Sequence, residues 1–260
     1  MVLIPIIHFQ IHLVKSYKVA IVTGASSGIG AAVAIALSAE GASVAIVGRN
    51  QAKLATTAAR CTNALAIQAD VTNDDDAHRI IHQTVEKFGK IDVLVNNAGN
   101  AKYASVFDEN IMAAYDFTMN VNLRAVFRMT SLAIPYLMKT KGNIVNMSSI
   151  SGHSTQLAPQ SITYSVSKAG LSHFSACLAA DLAPHGVRVN TICPGHTVTD
   201  LLENSGFFGS WDDFKADTAL GKVAEAQEIA YLVLFIASDK AKSMTGSNYF
   251  CDNGFMIKRH

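Results

Sequence analysis

Charged residues are scarce in this 260-residue chain. They make up 16% of it, sum to a formal net charge of +1 and gather in no basic block, which excludes the footprint of a nucleic-acid binder or of a protein held on an anionic membrane. Cysteine is sparse too: Cys61, Cys177, Cys193 and Cys251 lie far apart, with no CxxC pair. That argues against a disulfide framework or a zinc site and for reduced thiols in a reducing, cytoplasmic setting. His153, His173, His185 and His196 have no ligand spacing either, so no metal is expected. No apolar run reaches eighteen residues, and no transmembrane helix can be drawn. Internal repeats, linkers and low-complexity tracts are absent.

What is present is apolar and alternating. Half of the chain is hydrophobic, enough for one large core. Short β-branched runs, among them "KVAIVTG", "SVAIVG", "IDVLVNNAG", "GNIVNMSS" and "VRVNTICPG", are separated by helical stretches such as "GIGAAVAIALSAEG" and "DDAHRIIHQTVEKFG". Continuous apolar strands between helices predict a single α/β domain, over residues 15–260, built on a doubly wound parallel sheet of about seven strands. Gly41 and Gly89 are expected as helix C-caps, and Pro135 is expected to kink or divide the long segment 108–140. Residues 1–14 form an apolar extension that lacks a basic start and a cleavage site, so a signal peptide fits poorly. An extra strand or packed arm is expected there, with a weak membrane or partner contact as the alternative. Residues 199–220 are polar but carry Leu201, Leu202, Phe207, Phe208, Trp211 and Phe214, a composition suited to a lid with an apolar inner surface.

Two patterns carry chemistry. "TGASSGIG", residues 23–30, follows a strand and opens a helix. Gly24 permits the tight turn, Gly28 lets backbone approach a pyrophosphate, Gly30 allows close packing, and the helix N-terminus supplies N–H donors. Tyr164 stands four residues before Lys168 in "ITYSVSK", which puts both on one face of a helix.

Together with "NNAG" at 96–99 and the pair Pro194–Gly195, these motifs resemble, in order and rough spacing, the short-chain dehydrogenase/reductase family, over Lys18 to Gly254. The resemblance implies an NAD(P)-dependent oxidoreductase on a Rossmann fold, usually a dimer or tetramer. It makes Tyr164 the general acid/base, with Lys168 lowering its pKa and holding the nicotinamide ribose. Ser149, in "NMSSISG", polarises the substrate carbonyl; Ser151 is the fallback and Ser148 structural. Ser149 lies further from Tyr164 than the family's serine usually does, which points to a lengthened loop in which His153 could meet substrate. Asn122, in "MNVNL", distorts its helix and links Lys168 to solvent.

The same resemblance assigns Asp70 and Val71 to the adenine, Asn97, Ala98 and Gly99 to the adenosine side, and Ser26, Ser27 and Ile29 to the glycine turn. Thr197 and Thr199 then face the nicotinamide carboxamide and diphosphate beside Pro194 and Gly195. Gly48 stands where NAD-preferring members carry an acid, and Arg49 follows, so NADP(H) is expected over NAD(H). The substrate is expected to be a bulky or apolar carbonyl or alcohol. A 3-oxoacyl-carrier-protein reductase is the alternative, although its carrier-docking arginines are replaced near Thr140 and His185, with Lys139 and Lys141 nearby. A non-catalytic dinucleotide sensor is a third reading and requires a damaged set of catalytic residues.

Overall fold

The computed structural model describes residues 18–156, 161–201 and 210–258. The extension 1–14 and the lid residues Leu202, Phe207 and Phe208 lie outside them.

Seven strands form one parallel sheet: β1 (Val19–Thr23), β2 (Ser43–Gly48), β3 (Ala64–Gln68), β4 (Val93–Asn96), β5 (Asn143–Met147), β6 (Arg188–Pro194) and, at the far edge, the run Asn248–Cys251. The spatial order is β3-β2-β1-β4-β5-β6 followed by that last run. Successive side chains of a strand point to opposite faces, and both faces are covered. Ala20, Val22, Val44 and Ile46 pack on α1 (Gly28–Ala39), on Leu54 of α2 (Gln51–Ala58) and on α7 (Ala226–Ala237). Ile21, Ala45, Val47 and Leu94 face the opposite core, built with α3 (Asp74–Phe88), α5 (Ala125–Thr140) and α6 (Ile162–Leu182). Burial on both sides explains why these strands read as unbroken apolar runs.

Local signals end the helices. Asn73 caps α3 by accepting from the Asp75 and Asp76 amides, and Gly89 closes it at φ 82°. Gly41, at φ 88°, lies just past the end of α1.

Pro135 does not divide the middle segment. It lies inside α5, while the break falls earlier, at a π-helical turn over Asn120–Arg124 that separates α5 from α4 (Ile111–Met119). The proline removes only the bond to the carbonyl four residues back, at Ser131, and that residue is exposed to water. Among the described residues no helix is long and apolar enough to cross a membrane, and no cluster of side chains could hold a metal ion.

Candidate active site

The strand order reverses between β1 and β4, whose neighbours lie on opposite sides. In open parallel sheets a ligand crevice opens beyond the carboxyl ends of strands at such a point. A cavity of about 440 Å³ lies there. Every candidate cofactor residue except Gly30 lines it, as do Ser149, Tyr164 and Lys168; Gly30 and Asn122 sit behind its wall.

The glycine turn forms the cavity floor. Gly24 has φ 66°, and a β-carbon on Gly30 would stand 2.3 Å from the Gly24 carbonyl oxygen, so only glycine lets α1 approach β1 this closely. Asn97 Nδ2 donates to the carbonyls of Thr23 (2.9 Å) and Gly24 (3.3 Å), tying the end of β4 to the turn. At the N-terminus of α1, Ser27 makes no side-chain cap, whereas Asn50 caps α2. The first amides of α1 are thus left for an anion. This cradle fits the pyrophosphate of a dinucleotide.

At the cavity rim, Gly48 carries no carboxylate, and a β-carbon there would lie 3.2 Å from Ser26. The Arg49 side chain is 70% exposed and its guanidinium is 3.9 Å from Asp70. One oxygen of Asp70 accepts from the Thr72 amide (3.0 Å) and hydroxyl (2.7 Å).

Helix α6 carries Tyr164 and Lys168 into the deepest part. Lys168 Nζ lies 5.6 Å from the centre of the Tyr164 ring and donates to the Met147 carbonyl at 2.8 Å. The resemblance implies a tyrosine whose pKa is lowered by this lysine; the net direction here is the opposite. Burial pushes Tyr164 up to about 12, only partly offset by the adjacent Ser149 hydroxyl. Burial also pulls Lys168 down to about 8. In both cases the largest cause is the removal of the charged form from water. Tyr164 is therefore a protonated phenol at neutral pH.

Asn122 lies at the centre of the π-turn. Its side chain accepts from the Asn100 amide (2.8 Å) and donates to the Asn100 carbonyl (2.8 Å) and the Ser167 hydroxyl (2.9 Å). A β-carbon on Gly99 would meet Lys168 Nζ at 3.4 Å and Asn122 Oδ1 at 3.5 Å, so the backbone at 99 lets these two groups converge.

Ser149 accepts from the Ser151 amide (3.1 Å) and lies beside Tyr164; the lengthened loop expected after it falls partly outside the described residues. Ser151 also lines the cavity, while the Ser148 hydroxyl is spent on the Lys168 carbonyl at 2.9 Å. His153 does not reach the cavity: it turns inward to Ser172 and Cys193. Trp211 and Phe214 line the cavity mouth. So do two residues sequence reasoning missed, Tyr103 and His196. His196, discounted because it lacked metal spacing, stacks on Phe214 with ring centres 4.4 Å apart. Its place directly after Pro194–Gly195 was the available signal.

The family described as enoyl-(acyl carrier protein) reductase matches residues 24–256. An uncharacterized oxidoreductase of Methylorubrum extorquens is 39% identical over 237 residues, covering 88% of this chain and 94% of its own. A 3-oxoacyl-[acyl-carrier-protein] reductase of Synechocystis is 34% identical over 250 residues, covering 92% and 97%. A short-chain dehydrogenase/reductase from Caenorhabditis elegans, solved with cofactor, superposes at a TM-score of 0.87 with 33% identity, covering 94% of this chain and 97% of that one. The chain belongs to the short-chain dehydrogenase/reductase family. It is an oxidoreductase acting on a CH–OH or C=O group of a small molecule with a nicotinamide cofactor.

Proposed function

We propose that this protein is an NADP(H)-dependent carbonyl reductase in which Tyr164 is the proton donor. The observation that carries this reading is the half-buried Tyr164 phenol, which lines the cavity beside Ser149 with Lys168 Nζ 5.6 Å from its ring centre. The bound nicotinamide supplies a hydride to the carbonyl carbon. Ser149 donates to the carbonyl oxygen and stabilises the charge that develops there. Tyr164 gives its proton to the same oxygen, and Lys168 with Asn122 restores it from solvent. The sensor reading requires a damaged catalytic set, whereas Asn122, Ser149, Tyr164 and Lys168 are all present, the last three lining the cavity and Asn122 bonded to Ser167 behind them.

The preference for NADP(H) rests on the rim. Arg49 offers an exposed guanidinium to a 2′-phosphate, with Ser26 and Ser27 beside it, and no carboxylate stands at Gly48 to accept from a 2′-hydroxyl. Ser26 and Ser27 line the glycine turn with Gly24, Gly28 and Ile29. The amides at the start of α1, with Thr199, would hold the pyrophosphate; Pro194, Gly195 and the Thr197 backbone would meet the carboxamide. Asp70, Val71, Asn97, Ala98 and Gly99 would hold the adenosine.

Trp211, Phe214 and Tyr103 at the mouth favour a bulky or apolar carbonyl. A 3-oxoacyl-carrier-protein reductase is the second reading, favoured by the relatives that carry this activity. A homo-oligomer fits the apolar side chains left exposed on adjacent helices: Met112 and Phe117 on α4, Phe127 on α5 and Val166 on α6. The cytoplasm fits the scattered free thiols.

A panel of carbonyls and alcohols, run with NADPH and with NADH, tests the reading. NADPH-driven reduction of apolar ketones is expected. Clear NADH preference would overturn the cofactor assignment, and cofactor binding without turnover of any substrate would overturn the reductase.

A further inference from the structure

The segment that carries Ser149 is fastened to α6 at both ends. At its start, Ser148 Oγ lies 2.9 Å from the Lys168 carbonyl and 2.9 Å from Ser172 Oγ. At its end, His153 Nε2 lies 3.1 Å from the same Ser172 oxygen. Between them the chain makes one 3-10 turn, Ile150–Gly152. Gly152 lies so flat against the helix that a β-carbon would stand 2.7 Å from the Ala169 amide nitrogen and 2.8 Å from the Lys168 carbonyl carbon.

The direction of each hydrogen bond follows from the groups themselves. A carbonyl only accepts, so the single hydroxyl proton of Ser148 goes to Lys168. Ser172 must then donate to Ser148, which spends its own proton. His153 is left as the donor to Ser172, which fixes the imidazole tautomer with hydrogen on Nε2. Cys193 Sγ, 3.6 Å from the same nitrogen, does not compete as a thiolate, because burial pushes this thiol up to about 11. Burial also lowers the His153 pKa, favouring the neutral ring.

We infer that His153 is a positioning residue for Ser149: its Nε2–H, anchored on Ser172, holds the downstream end of the serine segment and with it the Ser149 hydroxyl beside Tyr164. This rests on the role proposed above for Ser149. His153 touches neither cofactor nor substrate space and acts only through Ser172 and Ser148.

The test compares His153→Ala with His153→Gln, whose amide N–H can replace the donor. Carbonyl reduction with NADPH is read as kcat and KM, NADPH binding by fluorescence, and backbone mobility by hydrogen exchange over residues 148–153. His153→Ala should lower kcat about tenfold or more, leave NADPH affinity within about twofold, because no cofactor contact is lost, and speed exchange across the segment. His153→Gln should restore most of the rate and most of the protection. Wild-type kcat and exchange in His153→Ala would overturn the inference. So would a glutamine variant as impaired as the alanine one, which would leave only packing against Phe250, 5.0 Å away. Should His153→Ala not fold, Ser172→Ala removes the anchor's acceptor and is read by the same outcomes. If wild-type protein turns over no carbonyl, the functional reading fails on its own; the exchange measurement needs no substrate and still decides the inference.

Discussion

Tyr164 and Lys168 are shifted in opposite directions by desolvation, and the two shifts predict a pH dependence for reduction. A phenol pushed up to about 12 keeps its proton across the physiological range, so reduction begins with the acid loaded. A lysine pulled down to about 8 is an ammonium below that pH and a neutral amine above it. Reduction should therefore hold on the acid side of pH 8 and fall as pH rises through it, because the group that recharges Tyr164 is lost. A kcat/KM profile flat to pH 10 would contradict this. Arg49 makes a separate prediction. Its guanidinium is exposed at the rim and only 3.9 Å from Asp70. Arg49→Ala should lower kcat/KM with NADPH by about ten- to a hundredfold, the worth of a charge-assisted hydrogen bond, and leave the NADH value nearly unchanged. An equal loss with both cofactors would place Arg49 in general structure instead.

The turn between β1 and α1 and the helix α6 supply most of the candidate site, and both are legible in the sequence. Glycine spacing directly after an apolar strand points to a phosphate cradle on physical grounds, and the close packing it requires is present at Gly30, which has no room for a β-carbon. Gly30→Ala should weaken NADPH binding more than tenfold and lower the melting temperature, since the added methyl displaces the Gly24 carbonyl. Unchanged affinity in a titration would show that the turn tolerates the methyl and that the close packing is incidental. The Tyr–Lys spacing likewise placed two side chains on one helical face. What the sequence could not express was how far that face is withdrawn from water, since desolvation, the largest cause of the raised Tyr164 pKa, depends on packing by distant segments. The break in the middle helix was misplaced for a related reason. Pro135 carries a strong local signal but costs one bond on a wet face, whereas the π-turn at Asn122 is stabilised by Asn100 and Ser167, far off in the chain. His153 illustrates the same limit, because its partner Ser172 lies nineteen residues away.

The assembled molecule presents Met112, Phe117, Phe127 and Val166 to solvent on neighbouring helices, and Phe127 stacks on Phe174 at 3.7 Å. Exposed apolar side chains clustered on one side are more than a monomer ordinarily displays. Light scattering should find a dimer or tetramer, and Phe127→Glu should shift it toward monomer; a wild-type monomer at micromolar concentration would sink the proposed assembly. In the proposed reaction the whole sheet, with the glycine turn on one side and α6 on the other, presents one phenolic proton to a carbonyl oxygen. The most direct test is Tyr164→Phe, assayed for ketone reduction with NADPH and for NADPH binding. Loss of turnover by about a thousandfold or more, with affinity for the cofactor nearly intact, is the predicted result. Substantial remaining turnover would contradict the account.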